Sequence, residues 1–161
     1  MIEKRGNMFD EVGKCSAIVI TTNGFVTSRG KCVMGRGCAK EARDRWAGID
    51  LALGKLIREN GNGVHPLLTE NGTTIVSFPV KPETVRCVAG GINLVSHARE
   101  KYREGDQVPG FLAVAKPEII LGSVTELIRL SDACGFTRIV MPRPGCGAGE
   151  LLWENVKPVL G

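Results

Sequence analysis

Ala17–Ile20 is a run of four apolar residues, three of them β-branched. A run without polar alternation marks a strand buried on both faces. Arg138–Met141 carries a second short run of the same kind. Between them the period changes. From Glu118 to Cys134, apolar residues fall at Ile120, Leu121, Val124, Leu127, Ile128 and Leu130, the spacing of an amphipathic helix. Gly135 follows as its C-terminal stop. Cys38–Trp46 sets Ala39, Ala42 and Trp46 on one helical face, and Leu51–Glu59 reads as a second helix stopped by Gly61-Asn62-Gly63. Leu151–Leu160 reads as a closing helix. Val64–Leu68 and Thr73–Val80 flank Glu70-Asn71-Gly72, and an Asn-Gly pair supplies the positive φ a tight hairpin needs. Residues 82–117 show no clear period. They hold Gly90-Gly91, a polar helix-like stretch near Leu94–Arg103 and Pro109-Gly110, and they read as a lid or an inserted excursion over about 86–117. Strands alternating with helices predict a single α/β domain spanning residues 1–161, a three-layer α/β/α sandwich around a central mixed or mostly parallel sheet.

Composition narrows this picture in three ways. Glycine reaches 21 residues in 161, and it is clustered, as binding loops require where backbone must come close to a ligand. The net charge of +4 is a mild excess, weaker than the basic stripe of a dedicated nucleic-acid binder. The six cysteines form no Cys-x-x-Cys pair, and His65 and His97 lie far from any zinc spacing, so reduced, packed thiols and no metal or cofactor are expected. The first residues carry no apolar leader, and no stretch nears the roughly 18 apolar residues of a membrane span. A cytoplasmic protein without a membrane partner is the expectation.

The candidate chemistry sits where strand, glycine-rich turn and helix follow one another. This happens twice, at Val33-Met34-Gly35-Arg36-Gly37-Cys38-Ala39 and at Pro142-Arg143-Pro144-Gly145-Cys146-Gly147-Ala148-Gly149. Ligands in open α/β sheets lie beyond the carboxyl ends of the strands, and a helix N-terminus there offers unpaired N–H groups to phosphate. Two such loops predict a clamp for a diphosphate. Neither is a Walker loop, since no Gly-Lys-Ser/Thr follows, and neither carries the Gly-x-Gly-x-x-Gly fingerprint with its distant acid, which disfavours a nicotinamide dehydrogenase. Asn23, directly after the first strand, can donate to and accept from ribose hydroxyls. Lys81 follows a buried strand between Pro79 and Pro82. A desolvated lysine there serves as nucleophile or electrostatic clamp, whereas a surface lysine is the bland alternative.

At these residues the chain resembles a macro domain. The resemblance rests on Gly6-Asn7-Met8-Phe9-Asp10, the Ile20–Asn23 strand end, Val33–Ala39, Phe78–Lys81, and Pro142–Gly149 leading into Leu152-Trp153-Glu154-Asn155-Val156. It is strongest toward the subgroup of terminal ADP-ribose glycohydrolase, the DNA-ADP-ribosyl glycohydrolase antitoxins, and the phage and bacterial ADP-ribose 1''-phosphate phosphatase-like proteins. The resemblance implies an ADP-ribose cleft across the strand ends. It puts Asn7 and Met8 at the adenine, Asn23 beside the distal ribose, Met34–Ala39 at the diphosphate, and Gly145–Gly149 around the distal ribose and phosphate. Lys81 matches the lysine that engages C1'' in the glycohydrolases. The chain also departs from the family. The family often has Asp where Asn7 stands, so the contact to the exocyclic amine is expected to be weakened or rearranged. The aspartate of the terminal glycohydrolase corresponds to Gly149, with Glu150 one residue late, a pattern closer to the antitoxins. The Gly24–Lys31 loop is longer than in the glycohydrolases. Relatives continue into a final strand beyond the position of Gly161, so the sheet is expected to be one strand short or completed by a partner.

Three functions follow as competing expectations. The first is a hydrolase acting at C1'' of ADP-ribose 1''-phosphate or of an ADP-ribosyl group on protein or nucleic acid, with Lys81 and Asn23 as catalytic residues. In it, Val33–Ala39, Pro144–Glu150, Asn7 and Met8 hold the ligand. The second is a non-catalytic ADP-ribose reader using the same cleft. The third is a nucleic-acid module using Arg29, Lys31, Arg36 and Arg43 on phosphates.

Overall fold

The computed structural model describes residues 1–161. Strand β1, Ala17–Thr22, is the spine of the sheet. Its side chains alternate between faces. Ile18 and Ile20 enter one core cluster, while Ala17 and Val19 enter the other. Helices α1, Gly37–Arg45, and α2, Ile49–Asn60, cover the first face through Ala39, Ala42, Ile49, Leu53 and Ile57. Strands β2, Pro66–Glu70, and β3, Thr73–Pro79, form the antiparallel hairpin, with Asn71 at φ 49° and Gly72 at φ 81° supplying the turn. β3 then runs parallel to β1, with Ala17 opposite Thr74 and Thr22 opposite Pro79. Helix α3, Pro117–Cys134, covers the second face through Ile120 and Leu127. The last strand, Ile139–Val140, pairs parallel with β1 on its other side. Two strands of a separate ladder, β4 (Thr84–Arg86) and β5 (Gln107–Pro109), precede this strand, β6, along the chain. The sheet order is therefore β2-β3-β1-β6, a mixed sheet between two helical layers. No helix is long and apolar enough to cross a membrane.

Three sequence expectations need correction. In α3, Leu121 and Ile128 are both 56% exposed, because each lies one residue, about 100°, past the buried positions 120 and 127. A helix resting on one sheet buries a narrower stripe than its apolar spacing implies. Only Ile139–Val140 of Arg138–Met141 pairs as a strand. The closing helix does not span Leu151–Leu160. A single turn, α4, covers Trp153–Val156, followed by a 3-10 turn over Lys157–Leu160. Pro158 lacks the N–H that would continue the α ladder to Glu154.

Residues 82–117 contain a short ladder of their own. β4, Thr84–Arg86, pairs antiparallel with β5, Gln107–Pro109. A third apolar cluster, Val85, Cys87, Leu94, Val95, Ala98, Val108 and Ala113, fills the space between them. The helix-like stretch is a 3-10 turn, Ser96–Lys101. Gly110 closes this segment on itself, its N–H donating to Glu83 O at 2.8 Å and its missing Cβ leaving room for Pro82 O. Lys116 N donates to Val80 O at 2.9 Å and Ser96 N to Glu150 Oε2 at 2.9 Å, which fastens the segment to the main body.

The long loop from Asn23 to Val33 lies flat on α2. Cys32 N donates to Asp50 O at 3.0 Å and Arg58 Nη2 to Thr27 O at 2.8 Å. Gly54 permits this approach, since a Cβ there would fall onto Gly30 O and lie 3.0 Å from Cys32 N. A Gly54→Ala substitution is expected to push the loop off the helix and cost about 2–3 kcal/mol. Urea denaturation checks this, and an unchanged midpoint would contradict the packing described.

Candidate functional site

The tips of β1 and β3 and the segment after β6 open into one cleft of about 390 Å³, an ordinary size for a small-molecule site. Thr21 and Thr22 end β1 and Asn23 follows it, Val80 and Lys81 follow β3, and Pro142 and Arg143 follow β6. Val33–Ala39 forms one wall, while Gly145, Gly147, Ala148 and Gly149 form the other. Val95, His97, Phe111 and Leu112 of the insertion complete it.

The first loop runs into α1, and Arg36 at its N-cap has no side-chain capping bond. The backbone N–H groups of Met34 through Ala39 donate to no protein acceptor. Left-handed Gly37, at φ 59°, turns the chain into the helix. Cys38 ties the helix start to the sheet, its Sγ accepting from Thr21 N at 3.4 Å. In the second loop, Cys146 N, Glu150 N and Leu151 N bond within the loop, whereas the amides of Gly145, Gly147, Ala148 and Gly149 have no protein acceptor. Two runs of free amides thus face one cleft. Backbone donors left this way need water or an anionic ligand. Thr22 Oγ1, in the same wall, is a buried side-chain oxygen without a partner.

Lys81 is 7% exposed. Its Nζ donates to Phe111 O at 3.1 Å and to Ala148 O at 3.0 Å, so one ammonium hydrogen is left for the cleft. Burial pulls its pKa down to about 8 from 10.5, opposed by the Glu150 carboxylate and assisted by the Arg36 charge. A buried lysine shifted this way is about one-tenth neutral at pH 7 and about half neutral at pH 8. Asn23 is 8% exposed, and both ends of its carboxamide are already used. Nδ2 donates to Val33 O at 2.8 Å and Oδ1 accepts from Phe25 N at 2.8 Å. One hydrogen and one lone pair remain. Asn23 therefore holds the loop as well as facing the cleft.

The other sequence candidates lie outside the lining. Asn7 Oδ1 accepts from Phe9 N at 3.0 Å and its Nδ2 donates to Glu41 Oε1 at 2.9 Å, while Met8 packs against the first core cluster. Pro144 is buried behind the loop. Cys146 turns inward, its Sγ 3.6 Å from Pro144 O. Glu150, at φ 61°, turns toward the insertion and accepts from Ser96 N at 2.9 Å and Ser96 Oγ at 3.0 Å. The Ser96 amide bond holds its carboxyl below the usual range, with help from Ser96 Oγ, Arg99 and Lys81. Of the four cations proposed for nucleic acid, Arg36 lines the cleft and Arg43 lies 3.8 Å from Asp44.

Sequence reading missed several lining residues. Pro142 and Arg143 were within reach, since they follow a strand tip directly. His97 and Phe111 were not. They arrive on an insertion whose 3-10 turns leave no periodic signal, and only the fold brings His97 Nε2 within 3.3 Å of Arg36 Nη2 and the Phe111 ring within 5.5 Å of Phe25.

No protein-family model matches the chain, and no curated protein does. Solved structures do match. The macrodomain of Mycobacterium tuberculosis DarG is 21% identical, covering 98% of this chain and 84% of its own, with a TM-score of 0.68. The macrodomain of Thermus aquaticus DarG is 20% identical over 97% of this chain and 84% of its own, at a TM-score of 0.65. Thermosipho africanus DarTG, solved in complex with ADP-ribose, is 15% identical at a TM-score of 0.64 and matches 96% of this chain but 36% of its own length. The chain has the macrodomain fold.

Proposed function

From this macrodomain fold, we propose that the chain binds ADP-ribose across its strand tips and hydrolyses the bond at C1'' of the distal ribose. Two facing sets of unbonded amides, those of Met34–Ala39 and those of Gly145, Gly147, Ala148 and Gly149, carry this reading. Amides fixed at a helix start and a glycine turn suit the two linked phosphoryl groups of one nucleotide sugar. A structural neighbour, T. africanus DarTG, is solved with ADP-ribose, which supports the same ligand class here. Lys81 then stands at the ribose end, where one of two steps is open to it. Its neutral amine attacks C1'' while the bond to the departing phosphate or macromolecular atom breaks and that group leaves with the electron pair, water later freeing the lysine. Alternatively, its cation stabilises the negative charge growing on the departing atom. The remaining hydrogen and lone pair of Asn23 meet the ribose hydroxyls. The substrate is ADP-ribose 1''-phosphate or an ADP-ribosyl group on protein or nucleic acid. Calorimetric titration with ADP-ribose, followed by side-by-side assays of these substrates, tests both halves. No heat with ADP-ribose ends the proposal.

One observation favours a second reading, a reader without turnover. A Cβ at Gly149 would lie 2.5 Å from Gly145 O and 2.6 Å from Ala115 Cβ, so the loop excludes the aspartate that the terminal glycohydrolase pairs with its lysine. Binding without release of product in every assay would select it.

Gly35 and Gly147 both line the cleft, and a Cβ on either meets nothing within 4 Å. Neither has positive φ. Gly35→Val and Gly147→Val are therefore expected to fold normally while placing a side chain where the diphosphate belongs. Each should weaken ADP-ribose binding about tenfold or more, the equivalent of about 1.4 kcal/mol. Unchanged affinity in both would remove the diphosphate from this crevice.

A further inference from the structure

The sheet order sets an axis along the cleft. Lys81 follows β3, the Asn23 corner follows β1, and Arg143 follows β6, in that spatial sequence. Adjacent strands lie about 4.8 Å apart, so Lys81 and Arg143 hang from tips about 10 Å apart on either side of the first amide loop. If C1'' is at Lys81 and the diphosphate at the centre, the nucleobase falls at the Arg143 end. This step rests on the ADP-ribose reading above.

Arg143 is built as a flat surface at that end. Its Cζ lies 4.9 Å over the ring of Trp153. Trp153 is itself fixed, its Nε1–H donating to Glu3 Oε1 at 2.8 Å, and Lys157 Nζ lies 3.6 Å from the same oxygen. The guanidinium makes no hydrogen bond or ion pair with protein. One face rests on an aromatic ring, and Arg143 is among the residues that line the cleft. A planar, weakly hydrated guanidinium held this way stacks on a base as an aromatic side chain does.

The resemblance assigns the base to Met8 and to the exposed Asn7, but neither residue lines the cleft. Asn7 is already engaged at both ends of its side chain, with Glu41 and the Phe9 amide. Stacking reads the face of a base and tolerates different ring substituents, whereas edge hydrogen bonds distinguish them. We propose that the site grips its nucleobase by the face, on the Arg143–Trp153 platform, and so accepts diphosphate-riboses of purines other than adenine. Arg143 is the contact residue, and Trp153 and Glu3 are positioning residues that hold its plane.

Calorimetry with ADP-ribose, its hypoxanthine and guanine analogues, and inorganic pyrophosphate as a base-free probe tests this. The wild-type protein is expected to bind the three nucleotide sugars within about threefold of one another. Arg143→Ala should weaken all three about tenfold and leave pyrophosphate unchanged. Arg143→Lys, which keeps the charge but loses the plane, should resemble Arg143→Ala. Nucleotide binding should also quench the Trp153 fluorescence that is missing in Trp153→Phe, a change pyrophosphate does not produce. A tenfold or larger loss on replacing adenine by hypoxanthine overturns the proposal. So does full affinity in Arg143→Lys, or equal weakening of pyrophosphate in Arg143→Ala. Wild-type protein that binds pyrophosphate but no nucleotide sugar overturns the ADP-ribose reading itself.

Discussion

A Lys81→Ala protein is expected to keep ADP-ribose affinity within a few-fold and to lose about 100-fold or more in turnover, the scale of removing one positioned catalytic group. Binding survives because the amide runs, not the lysine, hold the diphosphate. Turnover fails because Nζ is the cleft's buried amine, steered by the carbonyls of Phe111 and Ala148. The pH profile then separates its two possible tasks. With the pKa at about 8, attack by the neutral amine gives a rate that rises through pH 8 and levels off. Stabilisation by the cation gives one that falls through the same point. The same depression links to stability. Between about 8 and 10.5 the unfolded chain holds the proton that the folded lysine has released, so stability rises with pH across this window. Below it, the folded chain carries the cost of a charge in a poorly solvated place. Wild-type turnover in Lys81→Ala would eliminate the lysine mechanism. Lys81→Met, which refills the volume, separates loss of chemistry from loss of packing.

Gly149→Asp is expected to unfold the protein rather than improve it. Its Cβ would collide with Gly145 O and Ala115 Cβ, and Ala115 N already donates to Gly149 O at 2.9 Å, fixing the loop against the segment that leads into α3. Overpacking of this kind costs about 3 kcal/mol. Thermal denaturation measures this directly. A folded Gly149→Asp protein with raised turnover would mean that the loop is far more plastic than its contacts imply. The glycine therefore reflects how tightly this turn is packed, and the role of an aspartate cannot be restored by one substitution.

The layered fold was legible because its signals are local. Ala17–Ile20 shows a doubly buried strand in four residues, and Asn71-Gly72 marks the hairpin by its chemistry. The two glycine loops were legible for the same reason, since strand, turn and helix follow in order. Three kinds of information were not. The exposure of Leu121 and Ile128 depends on how much of α3 the sheet covers. The burial of Lys81 depends on Phe111 arriving from thirty residues away. The engagement of Asn7 depends on Glu41 standing opposite. Each is a contact between segments distant in sequence, and helical or strand periodicity carries no trace of it. Gly149 is the sharpest case. Against the family pattern it marks a missing catalytic group, whereas its own surroundings mark it as a packing necessity.

The placement of β1 governs when the site comes into existence. Residues 17–22 leave the ribosome before both of their neighbours, residues 73–79 and 139–140. Parallel pairing across such separations delays assembly, because long segments must be ordered before any ladder forms. During synthesis the nascent chain holds an apolar strand with both edges open, a species inclined to aggregate. The pocket is completed only once residues 142–149 are in place, so ligand present in the cell can trap the finished state but cannot guide its early steps.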